Sequence, residues 1–129
     1  MSDIQIVTPA GLGPALFPYS QATVANGFVF LAGQVALDDD NQVVHHGDAY
    51  QQTLVVLDRM ARILAEVGGT LDDIATATVF VTGLDQLPAF NRAWAERFGE
   101  HRPARAAVVA GLLLGGLVVE VQATAIARG

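Results

Sequence analysis

Two residues of opposite charge, Arg105 and Glu120, bracket a long apolar stretch that contains no other charged residue. An arginine at the mouth of a strand can hold a carboxylate bidentately, because its planar fork of donors matches two acceptor oxygens. Pro103, between Arg102 and Arg105, suits such a strand entry, since its fixed φ and missing N–H disfavour a central strand position. This bracket is the candidate site. The plainer alternative is a structural ion pair with some acidic residue, because paired charges are often merely structural.

The stretch from Ala106 to Val119 falls short of the roughly 20 apolar residues that span a bilayer, and Gly111, Gly115 and Gly116 interrupt it. It reads instead as a buried hairpin. Ala104 to Ala110 and Leu117 to Ile126 form its Val- and Ala-rich arms, with a turn over Gly111 to Leu114. Antiparallel pairing of the arms sets Arg105 opposite Glu120 on one face, whereas a one-residue slip puts them on opposite faces.

The elements that must position this bracket follow in order. Ile4 to Val7 reads as a short strand and Ala10 to Pro14 as a Gly/Pro loop. Ser20 lacks a nearby His and the nucleophile-elbow pattern, so it reads as a positioning hydroxyl. Tyr19 can pack, donate a hydrogen bond, or do both. Asn26-Gly27, between β-rich runs from Thr23 and from Phe28, signals a tight hairpin. The second strand ends in Ala32, Gly33 and Gln34, where a glycine marks either a close backbone approach or a bulge.

Asp38 to Asn41 reads as a solvated turn, since the calcium-loop spacing is missing. His45 and His46 are adjacent and His101 is isolated, so no metal site is expected. Asp48 to Val67 carries helical apolar spacing and ends at Gly68-Gly69. Asp58 with Arg62, and Arg62 with Glu66, are expected to pair along its polar side. Thr70 and Asp73 match a capping box. Ala75 to Thr82 alternates as a strand. Asp85 to Phe98 is a second helix, with Phe90, Trp94 and Phe98 on its core stripe and Gly99 as its stop. Asn91 sits at the edge of that stripe, either as a surface polar residue or as a site donor.

This order predicts one α+β domain over residues 1–129, a two-layer sandwich with two helices on one face of a mixed sheet. Other copies of the chain are the economical cover for the second sheet face. A hydrophobic fraction of 52% and a mean hydropathy of +0.41 agree with an obligate homo-oligomer. The net charge of −6, without a basic cluster, disfavours a nucleic-acid partner. The chain has neither Cys nor Lys, which removes thiolate chemistry and Schiff-base catalysis by a protein amine. The N-terminal sequence MSDIQIVTP has no secretory pattern, so the expected location is cytoplasmic.

Several separated motifs then coincide: PYSQA at Pro18 to Ala22, AGQ at Ala32 to Gln34, TVFVT at Thr78 to Thr82, Asn91 before FGEH, RPAR at Arg102 to Arg105, and VVEVQA from Val118. Over nearly its whole length the chain resembles the RidA/YjgF family of reactive-intermediate deaminases. The resemblance implies a chorismate-mutase-like fold, a homotrimer with ligand clefts at its subunit boundaries, and hydrolysis of enamine- or imine-derived amino-acid fragments to 2-oxo acids and ammonia. It implies that Arg105 binds the carboxylate of the 2-imino acid, that Glu120 positions or activates water, and that Tyr19, Gly33 and Asn91 line the cleft. No cofactor or metal is implied, because an imine carbon is already electrophilic and needs only an anchor, a water and a group to take its proton. Partners are then the small imino or enamino acid and the chain itself, with no membrane.

The sequence departs from the family's usual pattern at Ala32, Ala106, Leu114 and Gly115, where Ser, Ser/Thr, Pro and Lys are common. Two lost hydroxyls make the cleft more apolar. A non-enzymatic trimer that binds small carboxylates or acts as a chaperone-like surface is the alternative function. An RNA-cleaving activity is a third, opposed by the acidic charge.

Overall fold

The computed structural model describes residues 3–128. The first signal to form structure is the Asn26-Gly27 turn, whose two residues both take positive φ, 51° and 83°, as a type I′ hairpin requires. It joins β2 (Ala22–Ala25) to β3 (Phe28–Val35), and β1 (Gln5–Val7) pairs antiparallel with β2. The remaining strands are β4 (Ile74–Val81), β5 (Ala104–Val109) and β6 (Val119–Ile126), and the single sheet runs β1-β2-β3-β6-β4-β5.

The antiparallel 104–110/117–126 hairpin does not form. β5 pairs parallel with β4 instead, and β4 lies between β5 and β6. The reason is burial. Ala77, Val79 and Val81 of β4 and Val119, Val121, Ala123 and Ala125 of β6 are at most 4% exposed, so these two strands take central positions. Every residue of β5 is exposed, as befits an edge strand. The 110–118 segment therefore carries the chain past β4 instead of turning tightly.

α1 (Ala49–Ala65) begins at Asp48, whose side chain accepts from the N–H of Gln51, a standard N-cap. Its apolar stripe buries Val56, Leu57, Met60, Ile63 and Leu64 completely, each contributing about 1.5–3 kcal/mol relative to exposure. α2 (Leu87–Phe98) buries Phe90, Trp94 and Phe98 and stops at Gly99, whose φ is 59°. Both helices pack into one core on one sheet face. The expected Thr70–Asp73 capping box is present.

The expected i,i+4 ion pairs on α1 are replaced by contacts to other elements. Arg62 pairs with Asp39 and Asp58 with Arg97, while Glu66 accepts from the N–H of Ala10. Long side chains on an exposed face gain little from one another, so tertiary partners decide their placement. No helix among the described residues is long and apolar enough to cross a membrane.

Candidate active site: two half-sites on opposite faces of the sheet

β4 supplies the ruler that separates Arg105 from Glu120. Arg105 pairs with Ala77, and Glu120 with Phe80. Positions three apart on a strand point to opposite faces, so Arg105 stands on the helix face of the sheet and Glu120 on the outer face. The two side chains line separate hollows.

Arg105 lies against α2. Its Nη2 donates to Asn91 Oδ1 at 2.7 Å, and its guanidinium carbon sits 5.4 Å from the Phe90 ring centre and 5.2 Å from that of Trp94, within cation–π range. The aromatic stripe that α2 contributes to the core thus also supports the cation, and Asn91 at its edge accepts a hydrogen bond from it. Among the described residues no carboxylate pairs with Arg105. Burial without a compensating anion holds its pKa below the usual arginine value. A hollow of about 390 Å³ opens here between Asn91, Trp94, Arg102, Pro103 and Arg105.

Glu120 is half-buried in a second hollow of about 380 Å³, shared with Tyr19, Ala32, Gly33 and Gln122 and walled by Leu16, Phe17, Leu113, Leu114 and Leu117. It too lacks an ion-pair partner among the described residues, so neither member of the bracket is paired within its own chain. Burial pushes its pKa above the ordinary value of 4.5. That is the direction that suits a group exchanging protons near neutral pH.

Gly33 makes room for Glu120. The β3–β6 register slips between Leu31 and Gln34, so Ala32 and Gly33 form a bulge, and a Cβ on Gly33 would collide with Glu120 Oε2. The bulge reading of this glycine holds, and the group that comes close to it is the Glu120 carboxylate of the same chain. A buried polar network pins the bulge. Gln34 Nε2 donates to Gln21 Oε1 at 2.9 Å and to the Ala32 carbonyl at 3.2 Å. Arg59 Nε donates to Gln34 Oε1 at 3.2 Å, and its Nη1 to the Leu37 carbonyl.

Gln52 braces the other wall. Its Nε2 donates to the carbonyls of Val44, His45 and Gly116, and its Oε1 accepts from the N–H of Val118. Arg59 and Gln52 were not among the expected site residues. Their signal was polarity within the buried stripe of α1, where polar groups persist only if hydrogen-bonded.

The expected site residues thus fall into two groups, Asn91 with Arg105 and Tyr19 with Gly33 and Glu120. The fold defines a two-layer α+β protein with a candidate cation pocket at a sheet edge and a candidate carboxylate pocket on the outer face. The chain belongs to the family described as endoribonuclease L-PSP, whose model matches residues 12–127, the RidA/YjgF family of the sequence resemblance.

Among its relatives is a 3-aminoacrylate deaminase, RutC, of Acinetobacter baylyi, 40% identical over 121 residues, covering 94% of this chain and 96% of that protein. The crystal structure of yeast Mmf1 superposes with a TM-score of 0.89 at 31% identity, over 97% of this chain and 99% of the other. Escherichia coli TdcF with bound serine superposes with a TM-score of 0.85 at 25% identity, over 95% and 98%.

Proposed function

We propose that the protein is a hydrolytic deaminase of 2-imino acids and of the enamines that tautomerise to them. It works as a homotrimer in which Arg105 and Asn91 of one protomer face Tyr19, Gly33 and Glu120 of the next. The single observation behind this reading is that two groups of opposite charge, neither with an ion-pair partner among the described residues, lie on opposite faces of one sheet. A neighbouring copy brings them together.

Surface chemistry supports the assembly. β5 is exposed along its whole length, and Ile6, Phe28, Phe30 and Ile126 are also exposed. An open strand edge and an apolar sheet face are surfaces that proteins cover. The deaminase name of the Acinetobacter relative supports the chemistry.

In the reaction, the Arg105 guanidinium holds the substrate carboxylate, with Asn91 holding the guanidinium. Water adds its oxygen to the imine carbon while Glu120 takes a proton from it. Glu120 returns that proton to nitrogen, giving the carbinolamine R–C(OH)(NH₂)–COO⁻; the carbinol O–H proton then passes through Glu120 to the amine, the C–N bond breaks, and R–C(=NH)–COO⁻ plus H₂O has become R–CO–COO⁻ plus NH₃. Neither cofactor nor metal enters these steps.

The test is a mixing experiment. Arg105→Ala and Glu120→Gln variants are each assayed on imines generated in situ by an amino-acid oxidase, then unfolded and refolded together. Each alone is expected to be inactive and the mixture to regain activity, since a mixed trimer contains boundaries with both native residues. A fully active Arg105→Ala variant, or a mixture as dead as its parts, overturns the shared-site reading.

The missing hydroxyls at Ala32 and Ala106 favour one second reading, a trimer that binds small carboxylates without turning them over. Ligand retention with no turnover across a panel of imines would select it. The family's endoribonuclease description is not extended to this chain, whose charge of −6 and lack of Lys disfavour a phosphate backbone. RNA cleavage that persists in purified protein would reverse that judgement.

A further inference from the structure

The hollow over Glu120 has a composition that selects among substrates. Leu16, Phe17, Leu37, Leu113, Leu114 and Leu117 form its walls, and its polar groups are Tyr19, Glu120 and Gln122. No Arg or His lines it, so nothing there anchors an acid group, and the hollow receives the other end of the substrate. Its volume of about 380 Å³ lies in the range of roughly 300–1,000 Å³ typical of small-molecule sites. That is far more than a hydrogen or a methyl group fills.

Resting on the deaminase reading, we propose that the preferred substrates are 2-imino acids with bulky apolar side chains, such as those derived from leucine or phenylalanine, and that Phe17, Leu113 and Leu114 are the specificity-determining residues.

Phe17 and Leu113 are 51% and 84% exposed. These large apolar surfaces gain free energy when a substrate side chain displaces their water. Ala32, also in the lining, offers no hydroxyl to a hydroxylated side chain. A pocket of this kind discriminates by filling, roughly 10–200-fold for each methylene in well-packed cases. An imine with only a methyl side chain reaches few of these walls.

The test uses the whole protein with imines formed in situ by an amino-acid oxidase from leucine, phenylalanine and alanine. Expected is a kcat/KM at least about 10-fold higher for the leucine-derived than for the alanine-derived imine. A Phe17→Ala/Leu113→Ala variant, shown by light scattering to assemble as the wild type does, is expected to lose most of that preference. In parallel, calorimetry compares binding of the 2-oxo acid of leucine with that of pyruvate to both proteins.

If no imine is hydrolysed but the larger oxo acid binds at least about 10-fold tighter, and the variant abolishes the difference, the deaminase reading falls while the specificity assignment stands. Equal kcat/KM values, equal affinities, or a preference that survives in the variant overturns the assignment.

Discussion

The carboxylate of Glu120 lies in the space that a side chain on Gly33 would occupy. Gly33 does not adopt a left-handed conformation, so its lack of a side chain serves the neighbour and not its own backbone. The bulge at Ala32 and Gly33, opposite Gln122, creates that space.

Gly33→Ala is therefore expected to turn the Glu120 carboxylate away from its hollow. The displaced atoms are the far end of a flexible side chain, so stability should fall by less than about 1 kcal/mol, whereas misplacing a reacting group by about 1 Å can cost on the order of 100-fold in rate. A near-native melting temperature with a collapsed kcat checks this; a large stability loss with intact kcat contradicts it.

In the proposed reaction Glu120 must be ionised to take a proton from water, and burial raises its pKa above 4.5. As pH falls through the raised value the group protonates and the rate drops, so the acid limb of the pH–rate profile is expected above the ordinary carboxylate range. Glu120→Gln should remove that limb together with most of the rate. Residual activity that keeps the same limb would assign it to another group.

In the proposed site Asn91 acts through Arg105, from which it accepts a 2.7 Å hydrogen bond. Asn91→Ala frees the guanidinium to leave its bed on Phe90 and Trp94. A hydrogen bond to a charged group contributes about 1.5–3 kcal/mol, so KM for the imino acid should rise roughly 10- to 100-fold with a smaller change in kcat. Steady-state kinetics separates the two.

Gln52 is fully buried and meets four backbone groups. Gln52→Leu takes away the partner of the Val118 N–H and of the Val44 carbonyl, while the His45 and Gly116 carbonyls keep the N–H groups of Asp48 and Gly47, at about 1–3 kcal/mol for each group left unsatisfied. Denaturant unfolding should show a loss of several kcal/mol, and the 110–118 segment should exchange its amide hydrogens faster.

Asp73 is held below the usual carboxylate pKa, first by the N–H of Thr70 and then by Arg128. Its native pKa lies below its unfolded one, so this stabilisation is present above the unfolded value of about 3.9 and lost as pH falls through the native one. Asp73→Ala is expected to cost about 0.5–2 kcal/mol at pH 7, with the gap to wild type narrowing below about pH 4. Melting curves across that window provide the check.

The sequence by itself determined what depends on near neighbours along the chain. Apolar spacing placed both helices within a few residues, Asn26-Gly27 marked its hairpin, and the Thr70–Asp73 box and the Gly99 stop stood where their chemistry requires. Arg105 and Glu120 stood out as candidates because they bracket an apolar run, whereas Tyr19, Gly33 and Asn91 were joined to them only by the family resemblance.

Only the tertiary structure decided which strands are neighbours. Alternation along a strand specifies its faces but not its partner, and β5 and β6 carry patterns compatible with each other. Burial of both central strands gave β4 the place between them, and that one choice sent Arg105 and Glu120 to opposite sides of the sheet. The roles of Gln52 and Arg59 were hidden for the same reason, since the groups they bond lie on loops distant in sequence that only the folded chain brings beside α1.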